Sequence, residues 1–407
     1  MIIWWVRHDQ RLSDNFCWDS ARELANNSGQ ELRAVYAWNH LDQAKGLGGI
    51  PRMSPRRAGW IREGLSALGH ELEAHGVALQ QAQGSITDWL RANRPHTLLF
   101  SRAVATEERQ QEYEVNALGI PTQAFWTHTL LTPGEVPGGL DRLPETFTPF
   151  RHRVEREALS FDLDRPQTAS NDHSPTSSSE AFPFHAGEAS ALARLEAYAR
   201  NPNGAAAYKT RRNGLLGTEF STKFSPWLAS GALSPQRIWQ TCLDLEDELG
   251  GSPDVEWIRI ELLWREYFQW VAYTAGPRLF QKRGFREVPP QNGFNAKAFQ
   301  RWLDGTTGDE FVDAGMRELA KTGFSSNRAR QNMASYLIHD LGMDWRYGAA
   351  YFESQLLDYD PASNWANWAY IAGVGNDPRP VRRFNTAKQA SDYDADGAFR
   401  AHWLRRG

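Results

Sequence analysis

Glu261, Trp264 and Arg265 stand at i, i+3 and i+4 of the run Val255 to Phe268. A helix there would present a carboxylate, a flat ring and a guanidinium fork on one face. Asn327, Arg330 and Gln331 repeat that spacing within Ser325 to Tyr336. Asn364 and Trp368 are again four apart in Leu357 to Tyr370, which holds two acids, two amides and four aromatics in fourteen residues. Each set alone has an ordinary explanation: an i,i+4 ion pair beside a core tryptophan, a cap, or packing. Together the three polar-plus-aromatic faces outline a buried pocket with rings to pack on and fixed donors and acceptors, which suits a planar heteroaromatic ligand.

A flavin is such a ligand, and a fourth segment could hold its phosphates. Gly217 to Leu228 places consecutive hydroxyls and Lys223 just before a helix opened by Pro226, and donors at a helix start suit phosphate oxygens. The alternative is an ordinary cap, because serine before proline is a common helix start.

The elements that must carry these residues divide the chain. Up to about residue 126, short β-branched or aromatic runs (Ile2 to Val6, Leu32 to Trp38, Val77 to Gln81, Thr97 to Ser101, Thr122 to Trp126) alternate with helical patterns at Pro55 to Ala74, Ser85 to Ala92 and Thr106 to Leu118. That alternation predicts a parallel, doubly wound α/β sheet whose ligand, if any, lies beyond the carboxyl ends of its strands. Phe161 to Ala189, with the polar run 170–179, has linker composition. Leu192 to Arg200, Val255 to Thr274, Ala296 to Leu303, Asp313 to Lys321, Ser325 to Leu341 and Tyr347 to Leu357 read as helices and none as strand, so the second domain is expected to be all α. The expected division is an α/β domain over 1–130, a linker over 131–190 and a helical domain over 191–407. No repeat of fixed period is present.

Composition narrows the class. The chain has 407 residues, long enough for two cores. No apolar run approaches the roughly 20 residues of a membrane span, and the chain opens directly on a strand pattern rather than a targeting segment, so a soluble, cytoplasmic protein is expected. Cys17 and Cys242 are far apart and suggest neither a disulfide framework nor a metal site. Net charge is -4, but residues up to Gly204 carry 20 Lys+Arg against 25 Asp+Glu, and the rest carry 25 against 24. The C-terminal part therefore has room for a local basic patch, evenly mixed charge being the alternative.

These segments, with Trp4 to Asn15 and Ala372 to Pro378, resemble the photolyase/cryptochrome family, and the DASH cryptochromes within it. The resemblance spans nearly the whole chain and is dense from Tyr208 to Trp403. It implies a Rossmann-like antenna domain joined by a long linker to a helical domain that holds FAD. Tyr208, Ser221, Thr222, Lys223, Phe224 and Ser225 match residues around the phosphates and adenine side. Asn327, Arg330, Asp358, Asp360 and Asn364 match flavin contacts. Glu261 and Trp264, with Arg265 beside them, match residues that bind a damaged pyrimidine pair; Gln331, Arg328 and Tyr370 complete the expected substrate and DNA set. Trp368, Trp345 and Trp302 fall at the three positions of the family's electron-transfer chain, which implies stepping stones from the flavin to solvent. No metal is implied.

Several residues separate the branches. Asn327 and Gln331 stand where members acting on (6-4) photoproducts carry a histidine pair. Asn364 stands at the position facing flavin N5, as in photolyases, and Tyr370 replaces a second substrate-facing tryptophan, as in DASH members. His8 and Gln10 depart from the family's Asn and Leu, and the chain is short for the branch; a folate, methenyltetrahydrofolate, is the usual DASH antenna. The resemblance thus implies a monomeric, FAD-dependent enzyme that splits cyclobutane pyrimidine dimers in DNA, single-stranded by preference. Its rival is a blue-light receptor built on the same fold and flavin. A long C-terminal effector tail would favour the receptor, and the chain stopping at Arg405-Arg406-Gly407 is expected to favour the enzyme. Binding of RNA or single strands without catalysis is a third reading.

Overall fold

The computed structural model describes residues 1–39, 44–161, 163, 182–377 and 383–405. Strands β1 (Ile2–Trp5), β2 (Leu32–Trp38), β3 (Ala78–Gln83), β4 (Thr97–Ser101) and β5 (Thr122–Phe125) pair in the order β3-β2-β1-β4-β5. Every pairing is parallel, and Ile2 lies opposite Leu32 on one side and Thr97 on the other. β1 is apolar at every position because both of its faces are covered. Ile2, Trp4 and Val6 pack with Trp18, Leu65 and Leu68, while Ile3 and Trp5 pack with Ile86, Leu90 and Phe100. Helices α1 (Phe16–Ser28) and α2 (Pro55–Ala74) thus lie on one face, α3 (Ile86–Asn93) and α4 (Thr106–Asn116) on the other. α1 is absent from the sequence reading; its signal was Asn15, whose side chain caps the helix by accepting from Cys17 N and Trp18 N.

Beyond β5 the described residues add helices and no further strand of this sheet. The segment expected to be linker differs most. Phe147, Phe150 and Val154, spaced i, i+3, i+7, form the inner face of α5 (Phe147–Arg156) and are buried in the helical core. Further on, Phe182 and Ala186 are buried in the same core, and α6 (Glu188–Arg200) begins before the expected linker ends. The polar run 170–179 lies outside the described residues, as do Pro378, Arg406 and Gly407.

α7 (Tyr208–Arg211), α8 (Ser225–Ser230) and α9 (Pro235–Glu248) lead to α10 (Pro253–Ala275), the central helix, started by the Ser252 cap and Pro253. It is buried on most sides, as its near-continuous apolar content requires. α11 (Ala296–Leu303), α12 (Glu310–Thr322), α13 (Asn327–Ser335), α14 (Trp345–Gln355), α15 (Pro361–Ile371), α16 (Thr386–Tyr393) and α17 (Ala398–Leu404) complete the body. The expected helix from Ser325 to Leu341 is α13 followed by a π-helical turn, Tyr336–Asp340. No helix among the described residues is long and apolar enough to cross a membrane. Cys17 and Cys242 are free, buried thiols; burial pushes Cys242 up to about 12.

Polar side chains tie sheet to helices. Glu266, fully buried on α10, accepts from Leu130 N, Leu131 N and Trp270 Nε1, so the chain leaving β5 is held on the central helix. Arg11 donates to Gly231 O and Thr127 O. Gly231, at φ +74°, lets the backbone of His8 approach where a Cβ would sit 1.9 Å from His8 O.

Candidate functional site

A cavity of about 500 Å³ opens between α10, α13, α15 and the segment 208–225. Every sequence-predicted site residue lines it except Trp302 and Trp345.

One wall is the hydroxyl-rich segment. Arg194 on α6 pins it by donating to Thr218 O, Ser221 O and Thr222 O and pairing with Glu219. Tyr208, Ser221, Thr222 and Phe224 then face the same cavity. Lys223 takes the left-handed conformation, φ +61°. Its ammonium lies over the Phe220 ring at 3.6 Å and the Phe324 ring at 4.5 Å. Burial, with Arg194 and Arg330 near, pushes it down to about 7 against the pull of Glu318. Ser225 is not a cap: Phe224 occupies that position, and Ser225 Oγ donates to Asp358 Oδ2 at 2.6 Å. Arg330 Nη2 meets the same oxygen at 2.8 Å, while Asp358 Oδ1 is buried without a partner among the described residues.

The inner wall belongs to α15 and its cap. Asp360 accepts from Ser363 N and takes Gln269 Nε2 on both oxygens, at 3.0 and 2.9 Å. Asn364 donates to Ala349 O, and Trp368 follows one turn later. Behind Asp360 sits His128, 3.5 Å away. Arg265 donates to the carbonyl oxygen of His128 at 2.8 Å and to its Nε2 at 2.6 Å. Burial, with Arg265 beside it, pushes His128 down to about 4. His8, 5.3 Å from His128 ring to ring, is pushed down to about 3 by burial and by His128. Although burial raises a carboxyl, His128 and Arg265 together hold Asp360 well below the ordinary range. The sequence grouped Arg265 with substrate contacts; the structure commits its guanidinium to His128, because burying that charge requires fixed acceptors.

The mouth carries Glu261, Trp264, Tyr370, Asn327, Arg328 and Gln331. Glu261 does not pair with Arg265. Its Oε1 accepts from Arg212 at 2.7 Å and from Trp257 Nε1 at 3.1 Å, and burial nonetheless raises its pKa. Trp264 and Tyr370 meet edge to face at 6.1 Å, with Phe147 stacked on the Trp264 ring. Arg328 donates to Gln331 Oε1 and Asn213 Oδ1. Asn327 is exposed at the first turn of α13 and lines the cavity with Arg330 and Gln331.

The three tryptophans are arranged differently from the expected path to solvent. Trp302 is 0% exposed, lies 6.3 Å from Trp368 ring to ring, and donates its indole N–H to Met333 O. Trp345 is 1% exposed, packs on Trp365 at 5.7 Å and donates to Lys282 O. Trp302 therefore cannot be the solvent end. It is buried because α11 turns Phe299 and Trp302 together into the second helical core.

Sequence reasoning missed Gln269, Arg212, Arg194, His128 and Gly348. Gln269 had a signal, lying four residues beyond Arg265 on the stripe that starts at Glu261. Gly348 lets Trp368 pack on α14, since a Cβ there would sit 2.2 Å from the indole. Arg212, Arg194 and His128 had none, because their partners come from other elements.

Two family models match the chain: the FAD binding domain of DNA photolyase over residues 257–406, and DNA photolyase over 2–171. A cryptochrome DASH of Synechocystis sp. is 36% identical over 99% of this chain and 87% of its own length; one of Gloeobacter violaceus is 38% identical over 99% and 85%. The crystal structure of a Synechocystis cryptochrome superposes with a TM-score of 0.89 at 35% identity, covering 100% of this chain and 88% of that one. A class III photolyase from Agrobacterium tumefaciens gives 0.79 at 27% identity, covering 99% and 86%. The cofactor of the matched domain is FAD, and the cavity suits it: a buried lysine and hydroxyls on one wall, carboxylates and an amide on another, and the unpartnered acceptor Asp358 Oδ1 between them. Sheet, helical body and cavity agree with the sequence relatives, and the chain belongs to the photolyase/cryptochrome family, with DASH cryptochromes among its full-length relatives.

Proposed function

We propose that this protein is a light-driven lyase that splits cyclobutane pyrimidine dimers in DNA, with a preference for single strands. The observation that carries the reading is the shared cavity: Glu261, Trp264 and Tyr370 stand at its mouth, while Asp358, Asp360 and Asn364 line its inner wall. A flipped pyrimidine pair entering the mouth would reach a flavin held behind it. The chemistry supplied by bound FAD is light-driven donation of one electron to the dimer and recovery of that electron.

The chain's own groups supply placement. Lys223, Arg330, Ser225 and Asp358 hold the cofactor side, and Gln269 with His128 fixes the Asp360 carboxylate. Glu261 would accept a hydrogen bond from a flipped base; both bonds it makes among the described residues fall on Oε1, so Oε2 remains for a base. The ring edges of Trp264 and Tyr370 would hold the pair apolar and dry. Extruding a base from a duplex costs a few kcal/mol, which a single strand avoids, and a tyrosine at position 370 offers less stacking surface than a tryptophan to offset it. A monomer acting in the cytoplasm completes the reading, with the α/β unit ending near residue 130.

A second cavity, of about 870 Å³, lies beyond the carboxyl ends of the strands and is lined by Arg7, His8, Tyr36, Arg52 and Arg57. A folate antenna would occupy it, although Glu107, Glu108, Glu114 and Glu353 line it too and Arg52 is already paired with Glu107 and Glu353.

The receptor reading draws on one observation, the Arg212 to Glu261 ion pair, which occupies part of the carboxylate a dimer needs. Repair assays with fully reduced flavin, on one dimer in single-stranded and duplex oligonucleotides at fixed salt, decide. Repair of the single strand above the duplex supports the proposal; equal repair removes the strand preference; no repair of either overturns it in favour of the receptor.

A further inference from the structure

We propose that Tyr351 is the terminal electron donor of an aromatic path that enters the flavin cavity through Trp302 and Trp368. The path is visible as consecutive ring contacts. Trp368 lines the cavity; Trp302 lies 6.3 Å from it at 76°, and Tyr351 lies 5.7 Å from Trp302 at 68°. Electron tunnelling falls steeply with distance, so rings in contact carry it faster than rings separated by aliphatic packing.

Chemistry places the end of the path at Tyr351. Trp302 donates its N–H to a backbone carbonyl, that of Met333, which cannot take up a proton. An oxidised Trp302 is therefore kept as a cation that draws an electron from its neighbour. Of those neighbours, Phe299 and Phe352 stack on it but are far harder to oxidise than a phenol. Tyr347 touches Phe299, not Trp302. Tyr351 alone among the ring contacts described for Trp302 combines an oxidisable phenol, partial exposure and a nearby carboxylate, Asp304. Burial and the Asp304 charge push the phenol up to about 12, so it is protonated before the reaction.

The balance is one electron and one proton. Bound FAD would supply the oxidant on excitation by light: Trp368 would give up the electron, Trp302 would refill Trp368, and Tyr351 would refill Trp302. The phenol proton passes to Asp304 or to surface water, no heavy-atom bond changes, and an external one-electron reductant such as a thiol restores the tyrosine. This rests on FAD occupying the cavity and is independent of whether the protein repairs DNA or signals.

The test uses the FAD-loaded protein under blue light with a thiol present, followed by transient absorption and electron paramagnetic resonance. Flavin content and melting temperature are recorded first for wild type, Tyr351→Phe, Trp302→Phe and Trp345→Phe. In wild type a tyrosyl signature should rise as a tryptophanyl signature decays. Tyr351→Phe should keep flavin and fold, retain the tryptophanyl signal, lose the tyrosyl signal and slow light-driven reduction several-fold. Trp302→Phe should lose the tyrosyl signal as well. A tyrosyl signature that survives in Tyr351→Phe, or one that vanishes in Trp345→Phe but not in Trp302→Phe, overturns the path. A wild-type protein carrying no flavin would instead overturn the cofactor reading, and the path with it.

Discussion

Phe147 lies flat on Trp264, ring centroids 3.8 Å apart and planes 15° from parallel. A residue from the connection after the sheet thus covers one face of the tryptophan assigned to the substrate. Trp264 still lines the cavity, with Tyr370 meeting it edge to face. Phe147→Ala should lower stability by about 3 kcal/mol, the usual cost of emptying a buried aromatic site, and should let the indole turn. Denaturant melts and dissociation constants for a dimer-bearing single strand, measured together, check both effects.

Glu261 carries the substrate assignment most directly. Its Oε1 accepts from Trp257 one turn back and from Arg212 on another element, and a glutamine amide oxygen can accept from both, so Glu261→Gln should leave the melting temperature within a few degrees of wild type and keep flavin content unchanged. A hydrogen bond to a charged group is worth about 1.5–3 kcal/mol, so repair per flavin should fall about 10-fold or more. Loss of stability with normal repair would instead mark Glu261 as a structural ion pair.

Gly348 is set by space rather than by backbone angle. A Cβ would stand 2.2 Å from the Trp368 ring and 2.5 Å from a Leu337 methyl carbon. Gly348→Ala should cost about 1–3 kcal/mol through overpacking and, by displacing Trp368 from the cavity wall, should weaken flavin retention. Thermal melts of the apoprotein separate the first effect; flavin released on gel filtration reads the second.

The buried histidines set an acid limit. In the unfolded chain His128 titrates at its ordinary 6.5, in the folded protein at about 4, with Arg265, Arg11 and Asp360 around it. Between those values the unfolded state binds more protons, so stability falls as pH drops from about 6.5 toward 4 and is unaffected by this group above 6.5. The full effect is on the order of 3 kcal/mol. Asp360, depressed in the folded state, adds a loss below its ordinary 3.8. Because His8 titrates in the same window and the buried carboxyls of Glu108 and Glu318, raised to about 7, act with the opposite sign there, the slope is read as the difference between urea melts of wild type and His128→Gln from pH 7 down to pH 4, the variant losing less stability on acidification.

Much of the architecture was legible in the residues. The run Ile2 to Val6, apolar at every position, required cover on both faces and hence a parallel sheet between helix layers. Spacing also placed Glu261 and Trp264 on one helical face, and Asn364 and Trp368 along another, because a helix's period is a local property of the backbone. Spacing is silent about what lies opposite. Arg265 could have met Glu261 four residues away, yet it turns to His128, 137 positions back, since the chain leaving β5 docks on α10 through Glu266. Trp302 carries no mark of adjacency to Trp368; α11 must pack against α14 and α15 before the two rings meet. Phe147 looked like linker because three apolar residues in a polar stretch form a helix only when a core is there to bury them. Local periodicity therefore decided which residues share a face, and burial against distant elements decided their partners, their charge states and which of them meet in one cavity.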